Sequence, residues 1–322
     1  MQKHITIFYG GVDNEVSVSQ ESFKTVLGFF ADRDEYIVDS VEIHPDMSWT
    51  REGEVISQEA ALQWTDFAWI AMHGAYGEDG TLQKILESHR VPYNGADSLW
   101  SRICFSKSAT KELFEKMNIK TPASAVHDLQ DATLSSLADE IFQNFPQPCV
   151  IKPNTGGSSF GVAIVDNKSE IEQALKKAKA ITDTVIIEEY IKGTEATVGV
   201  VNGLRDQDIY SLPPVEIIPE SEFFDYDAKY NGAVNEICPA SFSDELKKEL
   251  QDLAVRIHTE LHLSDYSRTD FIIHPERGVY VLEVNTLPGM TNESLLPKEL
   301  QATGVDLDEF FEQIISNNLK ND

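Results

Sequence analysis

Cysteine, basic charge and long apolar runs are all scarce in this chain, and each scarcity removes a class of function. Only three cysteines occur among 322 residues, Cys104, Cys149 and Cys238, with no CxxC pair and no histidine at metal-ligand spacing. A disulfide scaffold, a zinc ribbon and a thioredoxin-like centre are thereby excluded, and the three read as reduced, partly buried thiols of a cytoplasmic protein. No apolar run approaches the roughly 20 residues that span a bilayer. The opening Met1-Gln2-Lys3-His4-Ile5 enters a strand-like segment directly, without the apolar stretch of a signal peptide. Neither membrane insertion nor export is expected. Lysine and arginine number 26 against 54 aspartates and glutamates, a formal net charge of -28. Such a field repels phosphate backbones and anionic lipid, so nucleic acid is a poor partner and the charge reads as a solvated surface. An anionic ligand would have to be held by local cations. Two nucleotide-binding fingerprints are also missing, since no GxxxxGK[ST] occurs and no GxGxxG follows the first strand.

What remains is a globular composition, 41% hydrophobic and 25% charged, long enough for two or three domains. In the first hundred residues strand patterns at 4–11, 36–42 and 67–73 alternate with helical ones at 20–31 and 81–90, an open α/β unit. A single helix is expected over 98–117, stopped by Thr121-Pro122. The middle segment reads as a small α+β domain with strands at 149–152, 162–165 and 184–191. Its helix at 169–180 is assigned a capping box of Ser169 and Glu172 and an apolar stripe of Ile171, Ala174, Leu175 and Ala178. The last part holds strands at 195–201 and 210–218, then a helix at 244–261 with Leu246, Leu250, Leu253, Ala254, Ile257 and Leu261 on one face. A strand pair over 266–285 follows. No internal repeat or low-complexity tract is present, and three domains are expected at 1–105, 106–194 and 195–322.

The strongest chemical signal lies in that strand pair. If its turn centres between Glu276 and Arg277 without a bulge, Asp270 stands opposite Glu283 and Arg268 opposite Asn285, all on one face. Thr269, Phe271, Ile273, Leu282 and Val284 then form the apolar face. Directly opposed carboxylates repel, so this face suits Mg²⁺ with a nucleotide as co-ligand; an exposed polar face, with Arg268 neutralising Asp270, is the other reading. In Val150-Ile151-Lys152-Pro153-Asn154-Thr155-Gly156-Gly157-Ser158-Ser159-Phe160-Gly161, a lysine ends a strand before a Gly- and Ser-rich turn whose N–H groups can fold over phosphates. An ordinary hairpin is equally compatible with it. The glycines of His73-Gly74-Ala75-Tyr76-Gly77-Glu78-Asp79-Gly80 permit close ligand approach at a strand's carboxyl end, or simply a tight turn with a structural histidine. His258 and His262, four apart, lack the HExxH glutamate and read as surface residues.

Two of these segments together carry a resemblance. His73-Gly74-x-x-Gly77-Glu78-Asp79-Gly80-x-x-Gln83 resembles the first-domain signature of the D-alanine-D-alanine ligase family of the ATP-grasp superfamily. Leu282-Glu283-x-Asn285-Thr286-x-Pro288-Gly289-Met290-Thr291-x-x-Ser294-Leu295-x-Pro297 is similar to its C-terminal one. The resemblance covers essentially the whole chain. It implies an α/β and α+β architecture, the ATP-grasp fold with an N-terminal open α/β (pre-ATP-grasp) domain, and a homodimer. It also implies ligation of two D-alanines through a D-alanyl phosphate, supplying cell-wall precursor. A ligase for another amino acid or amine, or a noncatalytic nucleotide-binding regulator, are the alternatives.

The resemblance also implies roles. Lys107 and Lys152 would meet the phosphates of ATP, although Ser106 stands where the family has Asp before the first lysine. Glu188 and the backbone after it would meet adenine and Glu195 the ribose, while Asp270, Glu283 and Asn285 would hold two Mg²⁺ ions, with Mn²⁺ an alternative. Arg268 and the Gly289 N–H would bind the tetrahedral oxyanion, and His73 would lie in the substrate site. Lys229 and Ser294, with Leu295, would hold the second substrate, and Tyr230, Ser158 and Glu15 would form the hydrogen-bonded trio that closes the active-site loop. Tyr230 where D-lactate ligases carry Phe implies D-alanine. Residues 10–19 resemble the family's opening shortened by about two residues before Val-Ser, with Glu15, at its usual offset from the glycines, binding the first ammonium.

Overall fold

A computed structural model describes residues 2–157, 160–219 and 234–319 of the chain. The chain begins with a five-stranded sheet in the order β4-β3-β2-β1-β5. Its members are β1 (Lys3–Gly10), β2 (Tyr36–Ile43), β3 (Trp49–Arg51), β4 (Glu54–Ile56) and β5 (Phe67–Ile70), with α1 (Val16–Phe30) and the short α2 (Gln58–Leu62) between them. β1 pairs in parallel with both β2 and β5, as an open α/β unit requires, and β3 and β4 add an antiparallel edge. Residues Phe67 to Ile70 are all buried, the unalternating pattern of a strand covered on both faces.

Helices α3 (Thr81–His89), α4 (Ser98–Phe105) and α5 (Lys107–Lys116) lead out of this unit. The expected single helix over 98–117 is therefore two. Ser106 is extended (φ -94°, ψ 107°), its hydroxyl accepts the Ala109 N–H, and it pairs in an isolated bridge with Thr155. Ser106 thus starts a new helix as its N-cap.

The middle sheet is antiparallel, in the order β6-β9-β7-β8. It comprises β6 (Ser124–Asp128), β7 (Cys149–Pro153), β8 (Ala163–Val165) and β9 (Thr184–Glu189), backed by α6 (Leu134–Asn144) and α7 (Lys168–Lys179). The stripe Ile171, Ala174, Leu175 and Ala178 is buried as expected, but the cap lies two residues earlier. Asn167 Oδ1 accepts the Glu170 N–H and Glu170 accepts the Asp166 N–H, whereas Glu172 pairs with Lys176 one turn on. Asn caps at least as well as Ser, and it comes first in the chain.

The third sheet has the order β13-β12-β10-β14-β15, with β11 also on β10. Its strands are β10 (Thr194–Asn202), β11 (Ile209–Ser211), β12 (Val215–Pro219), β13 (Val234–Ile237), β14 (Tyr266–His274) and β15 (Gly278–Asn285). The strand expected over 210–218 is split because Pro213-Pro214 removes two ladder donors; both pieces still run along β10. Helix α8 (Asp244–Glu260) lies on this sheet through Leu250, Ala254 and Ile257, with Leu246 and Leu253 at the margin. His258 is a correction, since it is buried in α8 between Ser267 Oγ (2.8 Å) and Asn202 Oδ1 (2.7 Å), and burial pushes its pKa down to about 4.

Helices α9 (Leu295–Ala302) and α10 (Leu307–Leu319) close the chain. Phe311 of α10 meets Trp69 and Phe29 edge-on, and Phe310 meets Tyr266, so the last helix joins the first sheet to the third in one apolar cluster. Asp265 sits in the same seam, accepting from Gly95 N–H (2.8 Å) and from Asn318 Nδ2 (3.0 Å). Burial raises its pKa from 3.8 to about 7 despite those donors. A carboxyl raised in this way stabilises the fold while protonated, fully below its unfolded pKa of 3.8, and loses that contribution as pH rises through about 7. Asp265→Asn should therefore flatten the pH dependence of stability. Between pH 5 and pH 8 its unfolding free energy should fall less than that of the wild type by on the order of 2 kcal/mol, measured by urea unfolding at both pH values; equal falls would refute this.

Candidate active site

The middle and third sheets face one another across a cavity of about 960 Å³, with the carboxyl end of the first sheet at its mouth. Thirteen of the sixteen residues singled out from the sequence line it: Glu15, His73, Lys107, Lys152, Glu188, Glu195, Arg268, Asp270, Glu283, Asn285, Gly289, Ser294 and Leu295. The other three, Ser158, Lys229 and Tyr230, lie outside the described residues.

The cleft wall formed by β14 and β15 has the expected register, with Asp270 opposite Glu283 and Arg268 opposite Asn285. It arises from two departures that cancel. The turn is three residues, Pro275 to Arg277, ended by Gly278 at φ 77°, which moves the pairing by one. A bulge at Leu282 then moves it back, because Phe271 pairs with Val281 while Asp270 pairs with Glu283. One consequence differs from expectation: Leu282 turns out of the apolar face to line the cleft beside Ile191, Ile272 and Tyr280. Thr269, Phe271 and Val284 remain buried on the other face.

Arg268 holds Asp270 with two parallel hydrogen bonds of 3.0 Å, the fork geometry of guanidinium with carboxylate. Burial opposes the arginine's charge, but Asp270 more than compensates and raises its pKa. Thr197, opposite Asp270 on β10, donates to the same carboxylate at 2.5 Å. Glu283 is approached by Lys107 Nζ at 3.4 Å, and Asn285 Oδ1 accepts the Leu287 N–H. Among the described residues no cluster of three or more His, Cys, Asp or Glu is arranged to hold a metal ion. Two facing carboxylates and an amide still fit Mg²⁺, which takes few protein carboxylates and completes its shell with water and phosphate oxygens.

On the other wall Lys152 is buried, with 7% of its surface exposed, and lies 2.9 Å from Glu188, itself 2% exposed. Lys111 reaches the second oxygen of Glu188 at 3.2 Å and also donates to Thr121 Oγ1 and the Pro122 carbonyl. Burial works against both ammonium groups. It lowers Lys111 to about 8, whereas Glu188 and Glu283 hold Lys152 above the usual lysine range. Glu188 is lowered, because the two lysines outweigh its burial. Its carboxylate is thus engaged as the counter-ion of Lys152. Lys111 was not singled out from the sequence; its signal was its place four residues after Lys107, on the same side of α5.

Lys107 stands at the first position of α5, where the helix dipole disfavours a cation, and it is held there by the Gly156 carbonyl at 2.6 Å and by Glu283. Asn154 fastens the Gly-rich loop to the same helix end, its carbonyl and side chain accepting the Lys107 and Ser108 N–H groups. Glu15 precedes α1 and its carboxylate comes within 3.3 Å of where a Cβ on Gly157 would stand, so the short opening segment still delivers it to the cleft. Asp13 accepts from both the Glu15 and Ala75 N–H groups, and Gly74 (φ 74°) has no room for a side chain between the two acids. Both ring nitrogens of His73 are occupied, Nε2 by Ser22 and Nδ1 by the Leu287 carbonyl, so the ring acts as a fixed wall. Gly289 leaves the space taken by Ser294 Oγ, which a Cβ there would meet at 2.7 Å.

An open sheet with a parallel centre, followed by two antiparallel sheets that close on such a cleft, is the ATP-grasp fold, and the solved structures it matches agree. D-alanyl-alanine synthetase A from Vibrio cholerae superposes with a TM-score of 0.87 at 27% identity, over 99% of both chains. D-alanine–D-alanine ligase from Bacillus anthracis gives 0.81 at 34% identity, over 99% of this chain and 98% of that one. The model described as D-ala D-ala ligase C-terminus matches residues 113–316, and that of the N-terminus matches 50–96. D-alanine–D-alanine ligase from Desulfotalea psychrophila is 34% identical over 98% of this chain and 95% of its own length. That of Geotalea uraniireducens is 36% identical over the same shares. The chain belongs to the D-alanine–D-alanine ligase family.

The buried lysine pair yields a test. Glu188 keeps Lys152 as its partner without Lys111, but Thr121 Oγ1 and the Pro122 carbonyl lose their donor, so Lys111→Met should cost roughly 1–3 kcal/mol of stability. Urea unfolding without nucleotide measures it, and a loss below about 1 kcal/mol, the scale of an exposed pair, would contradict the assignment.

Proposed function

We propose that this chain joins two D-alanines at the expense of ATP, as a cytoplasmic homodimer supplying peptidoglycan precursor. A carboxylate oxygen of the first D-alanine attacks the γ-phosphorus and ADP leaves. The amine of the second then attacks the acyl carbon, phosphate leaves, and the nitrogen loses its proton. The observation that carries the reading is the convergence of Arg268, Asp270, Glu283 and Asn285 on one cleft wall, facing Lys152 on the other, with Lys107 reaching in from α5 beside Glu283. The name of one related structure, a Bacillus anthracis ligase complexed with ATP, 32% identical with a TM-score of 0.79, supports the nucleotide.

In this reading residues 106–194 and 195–322 close on ATP and residues 1–105 bring the first substrate. Lys107 and Lys152 bind phosphate oxygens, Glu188 keeps Lys152 charged and with the backbone after it meets adenine, and Glu195 takes the ribose. The apolar slot of Val150, Ile164, Ile191 and Leu282 takes the adenine. Glu15 binds the first ammonium against the wall made by His73. Arg268 and the Gly289 N–H face the oxyanion, Ser294, Leu295 and Lys229 hold the second D-alanine, and Tyr230 and Ser158 join Glu15 in closing the site. Asp270, Glu283 and Asn285 would hold two Mg²⁺, or Mn²⁺, which when bound supply charge neutralisation of the phosphates.

Phosphate release from ATP should require D-alanine when D-alanine, L-alanine, D-serine and D-lactate are tried singly and in pairs. Dependence on a different amino acid would select a related ligase, and no dependence would select a nucleotide-binding regulator. Arg268→Ala should lower kcat by about 10²- to 10³-fold, with nucleotide affinity little changed; unchanged turnover would discard the oxyanion role. Tyr230→Phe should raise ester formation with D-lactate relative to dipeptide, and an unaltered product ratio would end that specificity argument.

A further inference from the structure

Behind the arginine of this cleft lies a carboxyl group for which the reaction has no use. Glu299, in α9 one turn beyond Leu295, is wholly buried. Its Oε1 accepts the Gly199 N–H at 2.7 Å, and its Oε2 has no hydrogen-bond partner among the described residues. Gly199 stands directly opposite Arg268 in the β10–β14 pairing, so the two share the cleft face of the sheet. A Cβ on Gly199 would stand 2.8 Å from Glu299 Oε2 and 2.5 Å from Leu296 Cδ1. Glycine is therefore what allows α9 to press its carboxyl onto the strand beside the arginine. Glycine weakens a strand interior and a half-satisfied buried carboxyl is costly. Two locally unfavourable residues thus meet at one contact, next to the group proposed to stabilise the oxyanion.

We infer that Glu299 is a positioning residue for Arg268: it grips Arg268's cross-strand neighbour from the helix that follows Ser294 and begins at Leu295, so that guanidinium and second-substrate site are held as one unit. The inference rests on the ligase reading above for its catalytic consequence, but not for its structural one. Burial raises the Glu299 pKa to about 8, so at neutral pH it is mainly uncharged and Arg268 keeps Asp270 as its carboxylate partner. Glutamine reproduces that form, with an amide oxygen left to accept from Gly199. Methionine, unbranched and of similar length, offers no oxygen to accept that N–H.

Steady-state kinetics, nucleotide binding and hydrogen exchange at the Gly199 amide, measured on the full chain as wild type, Glu299→Gln and Glu299→Met, test this. In Glu299→Met the Gly199 amide should exchange faster. Its kcat should fall about tenfold or more, the scale of a small misplacement of a reacting group, while the ATP Kd stays within about twofold. Glu299→Gln should return kcat to within about threefold of wild type, since its amide oxygen keeps the hydrogen bond. Wild-type kcat in Glu299→Met, or a Gln variant as slow as the Met one, or a matching loss of ATP affinity, would overturn the proposal. If Glu299→Met does not fold, Glu299→Asp, one methylene short of Gly199, carries the same expectations and the same refutations. A wild-type chain that releases no phosphate with D-alanine would instead defeat the ligase reading, and Gly199 exchange unchanged between variants would then still decide against the positional role.

Discussion

Two carboxylates fixed opposite each other on neighbouring strands repel, and much of this cleft is arranged around that repulsion between Asp270 and Glu283. Each acid has a cation of its own. Asp270 is taken by Arg268 from the same strand and by Thr197 from the next, and Glu283 is approached by Lys107 from α5. Lys152, across the cavity, is held charged in a buried place by Glu188 and by the same Glu283. The cations belong to different sheets and helices, so local charge balance closes only when the two sheets face one another. In a chain of net charge -28, these few inward-facing cations set the cleft apart from a surface that would repel a polyanion.

The glycines and helix ends serve the same geometry. Gly74 yields to Asp13 and Glu15, Gly199 to Glu299 and Leu296, and Gly289 to Ser294, so three close approaches at the cleft depend on a missing Cβ. Lys107 sits against the dipole of its own helix, held by a loop carbonyl and a distant glutamate. Local preference is overridden at these places, as is common where a site and not a core sets the terms.

How much of this was legible is best seen residue by residue. The opposition of Asp270 to Glu283 was readable because a hairpin's register follows from its turn, yet it held only because a longer turn and a bulge cancelled. The bulge, which turned Leu282 into the cleft, left no mark in the alternation pattern. The break at Ser106 was hidden by helical periodicity on both sides, and the cap of α7 moved to Asn167 because two capping sequences overlap. His258 looked like a surface histidine because its partners, Asn202 and Ser267, come from other strands. Lys111 and Glu299 escaped notice for the same reason: each acquires its meaning from a carboxylate or a backbone amide far away in the chain.

By itself the amino-acid order determined the alternation of strands and helices, the poverty in cations that makes each inward lysine and arginine conspicuous, and the two glycine- and acid-bearing motifs that carry the family resemblance. Those are properties of neighbours, governed by side-chain period, turn chemistry and charge within a few residues. Only the tertiary structure decided which carboxylate answers which cation, that Glu188 serves two lysines, and that a buried glutamate stands behind Arg268. Apart from Arg268 with Asp270, such pairings join residues 36 to 176 positions apart, and their energies depend on burial and distance, quantities that come into being when the sheets pack.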